Sequence, residues 1–168
     1  MIDKFKGEHG YLSNFAYYGF HYGGNNRRTW YPSNEHFYQA MKTQIQSERV
    51  AIAAAPTATI AKKMASEKGY VMPDGTLFKI DLRNDWEQIK VGVMEYGLWQ
   101  KFHHHPVIAE KLVATFPKRL IEGNWWHDNE WGNCTCGRPK CKAPGRNMLG
   151  KLLETLRFTL MLMKGGNS

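Results

Sequence analysis

The sequence predicts a compact, mainly helical α+β single domain with a small β element near its N-terminus, and three observations predict it. Between Phe5 and Tyr31, aromatic residues mix with Gly, Asn and Ser in "FKGEHGYLSNFAYYGFHYGGNNRRTWYPS", the composition of short strands joined by turns. From Ser33 onward, capping residues alternate with apolar residues at helical spacing. The 168 residues, 42% of them hydrophobic, suffice for one core and leave little for two. No repeat, low-complexity tract or long linker divides them, so residues 1–168 read as one domain.

Each element has a local reason. "GGNN", from Gly23, is the expected hairpin tip. Ser33, Ser47 and Thr57 offer N-caps for helices over roughly 34–45, 48–54 and 58–68, with Pro56 separating the last two. "LRNDWEQIKVGVMEYGLWQKF" sets Trp86, Ile89, Val93 and Tyr96 on one stripe of a long helix, expected to face the core and to stop before Pro106. A shorter helix over roughly 107–114 and a strand in "RLIEG" follow, then a loop over roughly 124–146 rich in Gly, Pro, Cys and Asn. The last helix, Asn147 to about Met163, is expected to bury Leu149, Leu152, Leu153, Leu156 and Leu160.

A formal charge of +8 suits an anionic partner such as a nucleotide, a phosphorylated metabolite or nucleic acid, and equally suits a basic protein with none. No stretch has the length of a membrane span: the N-terminus lacks a signal-peptide core, and "FTLMLM" is short and flanked by Arg157 and Lys164. A cytoplasmic protein is expected, and its three cysteines, clustered and odd in number, suggest metal or free thiols over disulfides.

On an ideal helix of about 3.6 residues per turn, Glu35, Gln39 and Lys42 share one stripe while Phe37, Met41 and Ile45 project elsewhere. Such a stripe is either a solvated face or the wall of a cleft, and spacing alone favours solvent. Asp128 in "WWHDNEWG" is either an acid capping its own loop or a site acid held among Trp125, Trp126 and Trp131, with capping the default. In "GRNMLG", Asn147 is placed to cap the last helix. His127, Cys134, Cys136 and Cys141 supply four ligands for a zinc site, although their spacing is not that of the common fingers, and free thiols in a surface loop are the alternative. "HHH" at 103–105 reads as the last turn of a helix, where His complements the dipole, in preference to a metal tract.

Taken in order, "GYLSNFA", "YPSNEHFYQAMKT", "RNDWEQIKVGVM", "KFHHHP", "LIEGNWWHDNEWG" and "GRNMLGKLLETLR" resemble the NADAR, or YbiA-like, family over almost the whole chain. The resemblance implies a largely helical α+β fold and hydrolysis of N-glycosidic bonds. Family members are associated with cleaving phosphorylated ribosylamino-pyrimidine intermediates of riboflavin synthesis and with removing ADP-ribose from guanine bases. The match places the motif glutamate on Glu35, the motif tryptophan on Trp86 and the motif aspartate on Asp128, with Lys42 in "YQAMK". Two features depart from the pattern: Glu154 stands where an apolar residue is expected, and the loop from Asn133 to Arg146 is enriched in Cys.

The reaction so implied asks for these residue types. Breaking the C1–N bond of a ribose develops positive charge on the sugar, which a carboxylate stabilises while a second acid protonates the leaving base. Glu35 and Asp128 are the expected pair. Lys42 offers a second route, attack at C1 to form an imine with the opened ribose. Trp86 is expected to stack on the base, and Arg83, Lys90 and Arg146 to hold phosphate. Asn14, Phe15, Tyr38, Trp131 and Asn147 complete the expected substrate-binding set. No cofactor is expected for catalysis, and any zinc would be structural. The expected partner is an ADP-ribosyl or ribosylamino small molecule, or ADP-ribosylated DNA or RNA, with no membrane. The rival function is a module that binds ADP-ribose or nucleic acid without turnover; the presence together of Glu35, Lys42 and Asp128 favours the enzyme.

Overall fold

Two units, Asn14–His104 and the pair Met1–Ser13 with His105–Ser168, make up the computed structural model, which describes residues 1–24 and 28–165. In the Asn14–His104 unit the aromatic stretch forms the expected hairpin, β1 (Phe20–Tyr22) antiparallel to β2 (Thr29–Tyr31), with Phe20 opposite Tyr31. Its "GGNN" tip lies partly outside the described residues. Phe20 and Tyr31 meet Phe37 edge-on, with ring centroids 5.2 and 5.4 Å apart, so the inward side chains of the hairpin clamp the first helix.

That helix, α1 (Asn34–Ala40), begins as its sequence predicts: Ser33 Oγ accepts from the His36 N–H at 3.4 Å. It stops short of the expected residue 45, because Lys42 N and Thr43 N reach back to Gln39 O and Ala40 O in tightening turns. Every residue of α1 is buried. It packs against β2, α2 (Gln46–Ala53), α3 (Ala58–Met64) and α4 (Trp86–His104), so of the stripe that spacing favoured as solvated, Glu35 and Gln39 are buried and Lys42 alone is part-exposed.

Two caps differ in outcome. Thr57 caps α3 through Ile60 N at 3.2 Å as expected, although the helix ends at Met64 and the chain reverses at Gly69, φ +74°. Ser47 caps nothing: Thr43 Oγ1 takes the Ile45 N–H at 3.1 Å, and α2 starts at Gln46. A second hairpin, β3 (Tyr70–Val71) with β4 (Leu77–Phe78), was not expected, yet "PDG" between them is its signal. Asp74 Oδ1 accepts from Thr76 N at 2.9 Å, and Gly75 supplies φ +85°.

The long helix α4 stops at His104 as Pro106 dictates, and His103 stacks on Trp99 at 5.5 Å. Its buried face keeps only Trp86 of the expected stripe. Trp86, Met94, Gly97, Leu98, Lys101 and Phe102 are buried, whereas Ile89, Val93 and Tyr96 line an open cleft of about 420 Å³ with Phe37 and Met41. Gly97 sets this rotation: a Cβ there would collide with the Asn34 side chain and the Phe37 ring, so α1 and α4 approach closest where α4 has no side chain. Gly97→Ala is expected to lower stability by about 1–3 kcal/mol, the range for overpacking a filled core. The urea midpoint would fall with an unchanged slope; an unchanged midpoint would contradict the close approach.

In the other unit, a 3-10 helix over Gly7–Leu12 replaces the strand expected near the N-terminus, entered through Gly7 at φ +57°. The "RLIEG" strand is realised in part. Ile2 bridges its start through Ile2 N to Arg119 O and Ile121 N to Ile2 O, both 2.8 Å, and β5 (Gly123–Asn124) then pairs in parallel with β6 (Asn133–Cys134). Helix α5 (Pro106–Ala114) opens on its proline. Helix α6 (Met148–Gly165) buries Leu149, Leu153 and Leu156 as expected, but Gly150 and Arg157 in place of Leu152 and Leu160. Glu154 has its own reason to be there: its Oε1 accepts from Leu120 N at 2.7 Å and from Arg119 Nε at 3.2 Å, closing the bridged segment onto α6.

Candidate active site

The backbone of Glu35 is fixed before its side chain is considered. Ser33 caps the helix two residues earlier, and Glu35 N donates to Asn14 O at 2.9 Å. Asn14 is buried scaffolding: its Oδ1 accepts from Asn34 Nδ2 at 2.8 Å and its Nδ2 donates to Met94 Sδ at 3.0 Å.

The Glu35 side chain lies in a residue only 5% exposed, and Gln39, 2% exposed, donates Nε2 to its Oε1 at 2.7 Å. That bond fixes which way the amide faces. It leaves Gln39 Oε1 buried with no hydrogen-bond partner among the described residues, a condition that costs free energy unless a donor is brought to it. Gln39 was legible only as a member of the stripe; its i, i+4 spacing from Glu35 was the signal that could have promoted it.

Lys42 stands just past the helix, its Nζ 6.0 Å from the Tyr38 ring centroid and 5.9 Å from that of Trp86, and those two rings meet edge-on at 5.0 Å. Burial pushes its amine below the usual lysine range; Glu35 is the foremost charge opposing this, and Lys62 adds to the depression. Trp86, at the first position of α4, is itself buried.

Arg83 N donates to Lys42 O at 2.9 Å, tying the approach to α4 to the Lys42 turn. Its guanidinium forks onto Asp85 at 2.6 and 2.9 Å, and Lys90 pairs with Glu87 at 2.7 Å, so both of these phosphate candidates already have acids on their own segment. Phe15 is exposed, with Lys62 Nζ 5.8 Å from its ring centroid.

The remaining candidates belong to the other unit. Asp128 Oδ1 accepts from Glu130 N at 3.1 Å and Trp131 N at 2.9 Å, so the loop-capping reading is realised. Capping uses Oδ1 alone of the two carboxylate oxygens in these bonds. Asn124, which sequence reasoning passed over, clips Asp128 from both sides, donating Nδ2 to Asp128 O at 2.7 Å and accepting from Asp128 N at 3.2 Å. Trp125 and Trp126 are 65% and 54% exposed, so they do not build the indole wall expected around Asp128.

Asn147 does not cap α6 with its side chain. Its backbone sits at φ +51°, and its carboxamide accepts from Glu122 N at 2.9 Å and donates to Leu120 O at 2.8 Å. Arg146 is exposed, 3.5 Å from Glu130, and Trp131 is half-buried. The donor atoms of His127, Cys134, Cys136 and Cys141 all lie within 4.8 Å of one another, a cluster that can hold a metal ion. Cys134 and Cys141 are buried, which sets aside the picture of thiols strung along a surface loop. Among the described residues no helix is long and apolar enough to cross a membrane.

A family model described as the NADAR domain matches residues 3–161. N-glycosidase YbiA of Escherichia coli strain K12 is 31% identical over 157 residues, 94% of this chain and 85% of that protein. A riboflavin biosynthesis protein of Vibrio vulnificus is 30% identical over 152 residues, 90% of this chain and 36% of that one. The NMR structure of E. coli YbiA matches with a TM-score of 0.72 at 28% identity, covering 98% of this chain and 89% of that chain. The fold and these relatives define a class, the hydrolases acting on N-glycosyl bonds. Within it, the chain belongs to the NADAR domain family.

Proposed function

We propose that this chain hydrolyses the C1–N bond between a ribose and a base, removing ADP-ribose from guanine in a nucleotide, DNA or RNA, or cleaving phosphorylated ribosylamino-pyrimidines of riboflavin synthesis. The observation that supports it most is the buried Glu35–Gln39 pair beside a lysine held below its usual range. A carboxylate sheltered from water acts strongly on positive charge, and C1–N cleavage develops that charge on the sugar. Gln39 Oε1 then serves as acceptor for a ribose hydroxyl, which its lack of a partner favours. The name of the Vibrio relative supports the pyrimidine substrate, and the charge of +8 suits the phosphates of either.

Asp128 is assigned the proton for the leaving base through Oδ2, on the strength of the motif match. Trp86 and Tyr38 supply the aromatic contact, worth roughly 1–3 kcal/mol per stacked base. Arg146, Arg83 and Lys90 exchange their acid partners Glu130, Asp85 and Glu87 for phosphate. Phe15 and Trp131 complete the binding set; Asn14 and Asn147, whose carboxamides are committed to the scaffold, act by positioning. The family match crosses both units, which supports reading residues 1–168 as one domain. The His/Cys cluster reads as structural zinc, because four protein donors leave no open position for water, and catalysis then uses no cofactor. Three unpaired thiols suit a reducing cytoplasm.

The test incubates the protein with ADP-ribosylated guanine, as nucleoside and within DNA, and separately with the ribosylamino-pyrimidine phosphate, and measures released base by chromatography. Release from at least one is expected. Release from none, with ADP-ribose still bound, would replace the enzyme with the binding module.

A further inference from the structure

Resting on the zinc reading above, we propose that one zinc ion, held by His127 Nδ1 and the Sγ atoms of Cys134, Cys136 and Cys141, folds the segment from Asn124 to Arg146 and thereby fixes the direction of the Asp128 carboxylate. The donor atoms all lie within 4.8 Å of one another. His127 Nδ1 lies 3.3 Å from Cys141 Sγ, 3.3 Å from Cys136 Sγ and 4.0 Å from Cys134 Sγ. A tetrahedral ion with bonds of about 2.0 Å to nitrogen and 2.3 Å to sulfur has N–S edges of about 3.5 Å, so these separations straddle the expected value. Three thiolates and an imidazole are a soft set that selects zinc over magnesium or calcium, and four of them close the coordination shell.

The backbone at His127 points the same way. Its φ is +71°, in the left-handed region, where a non-glycine residue is strained and persists only when its surroundings hold it. Metal ligation is such a hold.

The segment has little apolar core, and its backbone is otherwise tied by Asn133 N and Thr135 N to Glu122 O and Asn124 O, and by Arg146 N, Asn147 N, Met148 N and Leu149 N to Asn129 O, Gly132 O, Glu130 O and Trp131 O. It contributes only Cys134 and Cys141 to the apolar core, and its regular structure is one end of β5, the two-residue strand β6 and a 3-10 helix over Pro139–Cys141. Asparagine contacts close the remainder: Cys134 N donates to Asn129 Oδ1 at 2.9 Å, Gly145 N to Asn133 Oδ1 at 2.7 Å and Arg146 N to Asn129 O at 2.7 Å. Such bonds are individually weak and compete with water, whereas the binding free energy of a structural zinc ion is folding free energy for the segment it closes. Asp128 follows ligand His127 directly in the chain, with its backbone clipped by Asn124 and its Oδ1 consumed by its own turn. Holding His127 therefore adds to the Asn124 clip and the Oδ1 turn that set the Asp128 carboxylate.

The test uses the full chain purified without chelator. One zinc per chain is expected by elemental analysis. Stripping it should raise hydrogen exchange at the amides of Cys134, Gly145 and Arg146 at least about tenfold, the signature of local opening, while the amides of α1 keep their protection and added zinc restores the rest. Cys136→Ala should reproduce the stripped protein, and Cys136→His, which keeps a ligand, should retain both zinc and protection. Substoichiometric zinc would overturn the zinc reading and this inference together. Stoichiometric zinc whose removal leaves those amides protected would overturn the inference alone. None of these readouts uses turnover, so they stand or fall apart from the glycosidase assignment.

Discussion

Glu35→Gln will lower turnover at least about a hundredfold, a loss of about 2.7 kcal/mol of transition-state stabilisation, while leaving the protein folded. The substitution keeps the shape of the side chain and leaves an amide oxygen where Glu35 Oε1 now accepts from Gln39. It removes the negative charge alone. Because the site is buried, that charge has no solvent substitute, and the developing cation on the sugar loses the partner it needs. Packing around α1 has no reason to change, so the melting temperature should stay within about 4 °C, the shift expected for roughly 1 kcal/mol in a domain near this size. Steady-state kinetics on whichever substrate releases base, with thermal denaturation alongside, decide the matter; a variant keeping more than about a tenth of the activity would remove Glu35 from the chemistry. Glu35 is also the foremost charge holding the Lys42 amine up, so the variant should titrate Lys42 at a still lower pH than the parent.

The elements that local chemistry controls were the legible ones. Ser33 and Thr57 cap their helices through side-chain oxygens, and Pro106 ends one helix and opens the next. Which face a helix buries was less legible, because that depends on partners distant in sequence. In α1 the polar and apolar stripes are both real, yet β2, α2, α3 and α4 cover the helix completely, and a pattern of spacing carries no information about a fourth neighbour. In α4 the apolar stripe was read correctly as apolar, but beyond Trp86 it is not core, since Gly97, featureless in a hydrophobicity pattern, decides where α1 approaches. At the candidate site, the carboxylates and Lys42 were singled out because motifs carry them, and Gln39 was passed over because its significance is a buried oxygen without a partner. Asn147 illustrates the same limit: its carboxamide works on the backbone of Glu122 and Leu120, far back along the chain, which no local rule reports.

Lys42→Met will abolish turnover by at least about a thousandfold if the amine is the nucleophile, since loss of a covalent catalyst removes a whole pathway and not one contact. In that route the Nζ lone pair bonds to C1 as the C1–N bond breaks, and its electron pair leaves with the protonated base. Loss of a proton from Nζ and opening of the ring at its oxygen give an imine, and water hydrolyses this to free the ribose and restore the amine. Burial supplies the required state, because it holds the amine below the ordinary lysine value of 10.5 and so enlarges the neutral, nucleophilic fraction near neutral pH. The sign follows. The neutral fraction grows as pH rises through the depressed value, so kcat/KM should climb with pH and level off below 10.5. Stability linked to this residue runs in the same direction, since the folded state releases the proton before the unfolded state does and gains stability between the two values. Lys42→Met should erase that slope as well as the activity. A lysine acting only as a fixed cation makes the opposite prediction, with kcat/KM falling through the same window and Lys42→Arg remaining active. Borohydride added during turnover separates the two chemically: a ribose adduct on Lys42, visible by intact mass and absent from Lys42→Met, is expected, and an unmodified wild-type chain would confine Lys42 to electrostatics.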